Sequence, residues 1–467
     1  MKTCFLLATA LVFNSQILFA QTHEITFNDS LKYEIKSIED FAKLSKWSVH
    51  SRSYFMSTIN EGSLKDDYAL AQGAGIGLLT VPVKGFQLGV AGYFIFNLVS
   101  SDLSKPDAIS GGNNRYEIGQ FDVTNPKNKH DLDRLEDLFL KYSYRKNSIA
   151  IGRMELNTPF MNLQDGRMRP TLEEAVWLNI HQFKKVKING AYVWGVSPRS
   201  TIQFYDLKSS VGIYGQGVNT DGTKSNYFNN IASKGFYMGN VNIKPFKKFE
   251  INLWNGFFEN VSNTALVELK NEFGETEDEK YYQGLMYFRQ DVVNNGGNAN
   301  QSLTYMNKGA QSNVVSARIG LKRKNLDINF NYTHITGDGR YLMPREWGRD
   351  PFYTFMSRER NEGAGNVHAA NTNITYISKN KNLKSTIAYG YYRMPSVSNT
   401  RLNKYGMPSY HQINLSSSYA FKHFWKGLEL RFLLASKIKL GNDYIAPKYI
   451  YNKVNMTNFS LVADLKI

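Results

Sequence analysis

From residue 46 to the C-terminus the chain repeats one pattern. Segments of about ten residues put apolar side chains at every second position, and the joints between them are short and long in turn. The last segment is the clearest. Phe459, Leu461, Ala463, Leu465 and Ile467 share one parity, and Ser460, Asp464 and Lys466 share the other, with Val462 the exception. Leu326, Ile328, Phe330 and Tyr332 alternate with Asp327, Asn329, Asn331 and Thr333 in the same way. Period two marks a strand whose faces meet different surroundings. A soluble sandwich with one wet face alternates too, so the joints must decide. Arg145 to Asn147, Lys244 to Lys248, Lys322 to Asn325 and Lys379 to Asn382 are tight and basic or polar. Between them come the long polar stretches 99–135, 154–173, 198–234, 337–370 and 439–455. Tight turns on one rim and long loops on the other mark a transmembrane barrel.

Counting with that parity gives about eighteen strands, from 46–58 to 456–467, an even number as single-chain bacterial barrels have. Closure pairs every backbone group, which a bilayer demands. The expected fold is therefore all-β: a transmembrane antiparallel β-barrel with one loop folded inward. The segment 261–273 contains Thr264 to Phe273 (TALVELKNEF), which reads equally as a helix. Ahead of the barrel (46–467), residues 21–45 read as a periplasmic or lumen-side lead-in, mildly helical over Ile35 to Leu44.

Residues 1–20 read as a secretory signal: Lys2, the apolar run Phe5 to Phe13, and Leu18-Phe19-Ala20 before Gln21. The run is too short to span a bilayer as a helix, which takes roughly 20 residues. The only cysteine, Cys4, lies in that signal, so the mature chain has no disulfide, thiolate nucleophile or cysteine-bound metal. Mean hydropathy is −0.41. That does not argue against membrane residence, because barrel strands face lipid with alternate residues only. The net charge of +16 would suit nucleic acid, but export excludes that partner. A positive lumen that draws in anions and basic turns at the rim both account for it.

Motifs for other chemistry are missing. Gly73, Gly75 and Gly77 alternate along a strand and open no helix, so they form no phosphate loop; they suit a strip where an aromatic ring packs closely. No G-x-S-x-G elbow occurs. The eight histidines show no zinc spacing, and Asn219, Asp221 and Gly222 are too few for calcium. No catalysis, metal or cofactor is expected.

The informative stretch is Gly152 to Leu178, GRMELNTPFMNLQDGRMRPTLEEAVWL. It gathers Arg153, Arg167 and Arg169 with Asp165, Glu173 and Glu174 between the fifth and sixth strands. One reading is an eyelet, where arginines grip a carboxylate and acids grip an amine. The other is a salt-bridged loop that stiffens the wall. Unit charges 4 Å apart interact by about 1 kcal/mol in water and about 4 at an effective dielectric of 20, so a narrow eyelet can sort solutes by sign. Arg52, Arg145, Arg318 and Arg431 extend this as a basic lumen track, or else are solvated rim charges. Arg52 and Arg318 lie deepest in their strands.

Three places resemble the OprD-type outer-membrane porins, in particular versions from Bacteroidetes-like bacteria. They are Ser51 to Phe55; Thr158-Pro159 with Asp165 to Thr171; and Glu346 to Phe352 followed by Arg358 to Gly363. The resemblance covers nearly the whole mature chain. It implies an eighteen-stranded barrel, a narrow eyelet with Asp165 and Arg167 in the constriction loop, a basic ladder including Arg52, and passive uptake of small carboxylate-bearing solutes. Two departures stand out: Glu173-Glu174-Ala175 after the loop, where the family has an acidic-then-glycine step, and a final Ile467 in place of Phe or Trp. The expected partners are small solutes, outer-membrane lipids and lipopolysaccharide, and the barrel-assembly machinery. The competing readings are a closed structural or adhesive barrel and a barrel hydrolase.

Overall fold

The computed structural model describes residues 37–164, 166–276 and 279–467. The signal segment and most of the lead-in therefore lie outside the described residues. The chain enters through a short helix, α1 (Ile38–Leu44), whose first turn is capped by the Ser37 hydroxyl accepting from the Asp40 amide at 3.0 Å. No described helix is long and apolar enough to cross a membrane.

Nineteen strands follow in one sheet. The first seven are β1 (Lys46–Asn60), β2 (Asp67–Leu79), β3 (Phe86–Ser100), β4 (Arg134–Tyr144), β5 (Asn147–Met154), β6 (Leu172–Ile180) and β7 (Val186–Ser197). Next come β8 (Tyr205–Asp206), β9 (Phe236–Phe246), β10 (Phe249–Phe258), β11 (Ser262–Thr276), β12 (Glu279–Val292) and β13 (Gln311–Arg323). The last six are β14 (Leu326–Ile335), β15 (Val367–Ile377), β16 (Leu383–Arg393), β17 (Tyr410–Ala420), β18 (Leu428–Lys439) and β19 (Met456–Lys466). Each long strand pairs antiparallel with its neighbours, and β1 closes on β19 from His50↔Lys466 to Asn60↔Met456. The two-residue β8 only pairs with the last residues of β7 (Gly195↔Asp206, Val196↔Tyr205), while β7 pairs directly with β9 along the rest of its length. The result is a closed eighteen-stranded barrel.

All eighteen long strands lie where the alternation predicts them, to within a few residues. The ambiguous segment is strand β11, paired along both edges with β10 and β12. The two-residue β8 carries too little sequence to announce itself.

The parity has the expected meaning. On β1, Arg52, Tyr54, Met56 and Thr58 are buried and point inward, while Trp47, Val49 and Ile59 are exposed on the outer wall. On β19, Asn458, Ser460 and Asp464 point inward and Leu461 outward. The glycine strip also fits: a Cβ at Gly73 or Gly75 would stand 2.4 Å from the Tyr93 side chain, which lies flat over both.

The core lies inside the barrel and is made by loops. In one cluster Phe160, Leu207 and Trp347 pack on Phe236 and Phe258 of the wall. In a second, Tyr341, Phe352 and Met356 pack on Tyr392 and Tyr410. In a third, Tyr116, Ile118 and Met168 pack on Tyr54 and Ile95. The long loops fold inward because their apolar residues recur without period and can be buried only as plugs against the inner wall.

Candidate functional site: a loop-built constriction

The loop between β5 and β6 (155–171) enters the lumen through a local turn. Thr158 Oγ1 accepts from the Met161 amide at 3.0 Å, and the Thr158 amide donates to the Met161 carbonyl at 2.7 Å. This sends Phe160 against Phe236 and Trp254, with ring centroids at 5.9 and 6.2 Å. The far half is tied to β1. Arg52 Nη1 donates to the Arg167 carbonyl at 2.6 Å, and the Tyr54 hydroxyl donates to the Gly166 carbonyl at 3.2 Å. From behind, buried Glu173 accepts from the Leu156 amide at 3.0 Å.

A second loop, 336–366 between β14 and β15, meets it. Trp347 is buried between Phe236 and Phe258, and its indole nitrogen donates to Ser210 Oγ at 2.9 Å. The Asn162 amide donates to the Trp347 carbonyl at 2.9 Å; Asn162 Nδ2 donates to the Arg349 carbonyl at 2.9 Å, and its Oδ1 accepts from the Arg349 amide at 3.1 Å. Gly348, at φ 137°, allows this approach: a Cβ there would lie 2.5 Å from Asn162 Oδ1. Glu346 Oε1 accepts from the Gly212 and Tyr214 amides at 3.0 and 2.7 Å, which ties in the loop after β7. Arg358 then reaches the wall, donating to Asn458 Oδ1 at 2.7 Å, Ser460 Oγ at 2.9 Å and the Tyr54 hydroxyl at 3.2 Å.

A cavity of about 1480 Å³ remains between these loops and the wall. At one end it is lined by Thr400 and Lys448 of the long loops, and at the other by Glu250 and Lys270, paired beside the tight turn between β9 and β10. It thus runs from the long-loop side to near the short-turn rim. Among its described lining residues, eleven are Arg or Lys and three are Glu. Arg167, Arg199 and Arg358 cluster on the cavity wall around Gly166, where a Cβ would lie 3.5 Å from Arg199 Nη1 and 3.7 Å from Arg358 Nη1, and among the described residues no carboxylate forms an ion pair with any of them. Burial, and then the neighbouring Arg358 and Arg199 charges, hold the Arg167 guanidinium well below its ordinary pKa. Arginine keeps its charge in proteins, so the cost of crowding becomes an affinity for an anion.

The structure separates the sequence-predicted residues. Arg167 lines the cavity. Arg169 is buried behind the loop, donating to the Leu132 carbonyl at 2.7 Å and facing a smaller cavity of about 120 Å³ beside His50 and Glu136. Arg153 shares the outward parity of Ile149 and Ile151; it pairs with Glu174 at 2.8 Å and packs over Phe204, away from the large cavity. Arg145 sits exposed in the tight turn between β4 and β5 at φ 53°. Arg318 points inward beneath the second loop, 2.6 Å from Asn331 Oδ1 and 4.5 Å from the Tyr353 ring. Arg52 and Arg431 share the buried carboxylate of Asp464. Asp165 lies outside the described residues. Arg349 and Arg358 fall in the third stretch quoted for the family resemblance, whereas Arg199 and Lys404 stand in loops with no periodic signal.

Two lysines tie the cavity charge to pH. Burial pushes Lys404 down to about 7, beneath the Tyr227 and Tyr305 rings, and burial, then Arg115 and Arg345, pushes Lys453 down to about 7. Each is positive below that pH and neutral above it. Anion preference, read as the reversal potential in a salt gradient, is therefore expected to fall as pH rises through 7; a flat profile from pH 5 to about 9 would contradict it.

A closed membrane barrel with a cavity running between its rims and a loop-built narrowing is the architecture of a porin. The family model for the outer membrane porin, OprD family, matches residues 39–360, and the chain belongs to that family. Its members are non-enzymatic channels of the outer membrane. Solved structures share the fold. OccK9 (OpdG) of Pseudomonas aeruginosa has a TM-score of 0.70 at 12% identity, covering 91% of this chain and 99% of its own. OccAB3 of Acinetobacter baumannii has 0.70 at 14%, covering 91% and 99%. OpdK of Pseudomonas aeruginosa, solved with vanillate, has 0.66 at 14%, again covering 91% and 99%. Comparison with curated protein sequences gives no match.

Proposed function

We propose that this porin is a passive, selective diffusion channel for small hydrophilic solutes that carry a carboxylate, such as amino acids, small organic acids or short peptides. The observation that carries this reading is the cavity between the two rims, lined by eleven basic and three acidic described residues. Arginine presents a planar fork of donors that matches a carboxylate, and rings of Arg or Lys select anions in pores. OpdK, a structural relative, was solved with vanillate, itself a carboxylate. In this reading Arg167 and Arg358 face the solute, while Arg52, Tyr54 and Glu173 hold the loop that presents them. Residues 1–20 are the cleaved export signal, 21–45 a lead-in and 46–467 the barrel, inserted by the assembly machinery among lipid and lipopolysaccharide.

Planar-bilayer recording of the purified protein tests this. Stable conductance with anion preference is expected, and small carboxylates should block current more strongly than amines of the same size. R167A should weaken both effects. Absence of conductance at every voltage would favour a closed structural or adhesive barrel, and unchanged selectivity in R167A would refute the eyelet role.

A further inference from the structure

The outer wall carries a feature the channel does not use. On β14, β15 and β16, His334 stands opposite His368, and His368 opposite Arg393. Cross-strand partners point to the same side, and here the side is outward. The row shares its parity with Phe330, Ile374 and Ile387, all exposed on the outer wall. It sits at the strand ends next to loops 336–366 and 394–409, on the long-loop side.

What lies beneath the row sets its depth. One step toward the middle of the wall, the Tyr332 hydroxyl meets His368 Nδ1 at 2.7 Å, and the Tyr389 hydroxyl meets His411 Nδ1 at 2.6 Å. Tyr332, Tyr389 and Tyr391 are exposed there as a band, with Phe330, Ile387 and Ile413 below or beside them. Apolar wall, then tyrosine, is the order in which a barrel leaves hydrocarbon and enters the headgroups. The His334–His368–Arg393 row therefore stands at headgroup depth.

The fixed charge of Arg393 calls for an anion, and the two imidazoles beside it add ring nitrogens that can hydrogen-bond one. The imidazoles of His334 and His368 are stacked with centroids 4.3 Å apart, beside the Arg393 guanidinium. Among the described residues no carboxylate pairs with any of the three. The outward carboxylates at that edge are engaged elsewhere: Asp291 with Arg289 at 2.8 Å, and Asp338 with Asn313 and Thr336 at 3.0 and 2.7 Å. Cationic groups at a membrane surface recognise anionic lipid headgroups.

We propose that the His334–His368–Arg393 row binds the phosphate of an outer-leaflet phosphoglycolipid of the lipid A type. This rests on the outer-membrane location and not on the solute selectivity, so either can fail alone.

The test is retention of lipid by the purified, folded full chain in detergent, read by native mass spectrometry. The probes are diphosphorylated lipid A, the same lipid with its phosphates removed, and inorganic phosphate as competitor. Lipid A should be retained in preference to the dephosphorylated form. R393Q should lower retention about fivefold, and H334Q/H368Q/R393Q should lower it further. Inorganic phosphate should not displace the lipid. Equal retention by the triple variant, or of the dephosphorylated lipid, would overturn the proposal; displacement by inorganic phosphate would make this a free-ion site and overturn the glycolipid assignment. Because the row faces away from the cavity, single-channel conductance and heat-modifiable gel mobility should match wild type, which verifies folding. If the triple variant does not fold, R393Q decides on the same criterion.

Discussion

Replacing Asp464 by Ala is expected to cost the barrel about 3–5 kcal/mol, the usual penalty for breaking a buried ion pair from one side. The carboxylate has 4% side-chain exposure and serves three partners. It accepts from Arg52 Nε at 2.6 Å, from His50 Nε2 at 3.1 Å and from Arg431. These partners lie on β1 and β18, the two neighbours of β19, so the cluster straddles the seam where the barrel closes. Without Asp464, Arg52 and Arg431 keep their charges and lose the carboxylate they share. Urea unfolding in detergent, followed by tryptophan fluorescence and heat-modifiable mobility, measures the loss. Replacing Arg52 and Asp464 together by apolar residues of similar volume should recover part of it, because the deeply buried Arg52 guanidinium then goes as well, while Arg431 has 28% side-chain exposure and reaches solvent. If D464A alone leaves the midpoint unchanged, the seam is held by its backbone ladder and the cluster is incidental. A second effect follows from Arg52 holding the Arg167 carbonyl: loosening Arg52 should make the channel current noisier even where the barrel survives.

The strands were legible because a membrane imposes one rule on all of them, lipid on one side and lumen on the other. Leu461 and Asp464 obey it on β19 as Val49 and Arg52 do on β1. The same rule, applied more strictly, places Arg153: its parity is that of Ile149 and Ile151, which put it outside before any contact is known. Arg145 was likewise readable as a turn residue, since it stands in the basic joint of a hairpin. The interior of the loops was not legible in this way. Nothing periodic links Asn162 to Arg349, 187 residues apart, or brings Arg358 to Tyr54 across 304 residues. Such contacts depend on how plugs fill a lumen of given width. The short motifs carry part of this information. Thr158-Pro159 is the turn that aims Phe160 inward, and in Glu346 to Asp350 successive residues reach the loop after β7, the wall, Asn162 and Asn361. These motifs specify how the constriction is held together, and its positive charge comes from residues scattered over several loops.

That division makes the peg testable apart from the charge. Trp347→Ala is expected to cost about 3–5 kcal/mol of local packing and to raise single-channel conductance while weakening anion preference. The indole is 2% exposed, its ring centroid is 5.3 Å from that of Phe236 and 4.9 Å from that of Phe258, and its carbonyl takes the Asn162 amide. Removing it leaves the second loop without its main purchase on the wall, and Arg349 and Arg358 are carried on that loop. The barrel should stay closed, because its strand pairing does not pass through Trp347, so heat-modifiable mobility should match wild type. N162A removes only two of the side-chain bonds between the loops, at 2.9 and 3.1 Å, and should move conductance in the same direction by a smaller step, in line with about 1–3 kcal/mol for buried partners left unsatisfied. R167A differs in kind, since it should change selectivity more than conductance. If W347A keeps both values of the wild type, the loops are positioned by the Arg52, Tyr54 and Arg358 contacts with the wall, and the aromatic peg only fills space. If W347A and R167A give the same change, then width and charge act at one point, and the narrowing is the place where Arg167 and Arg358 meet.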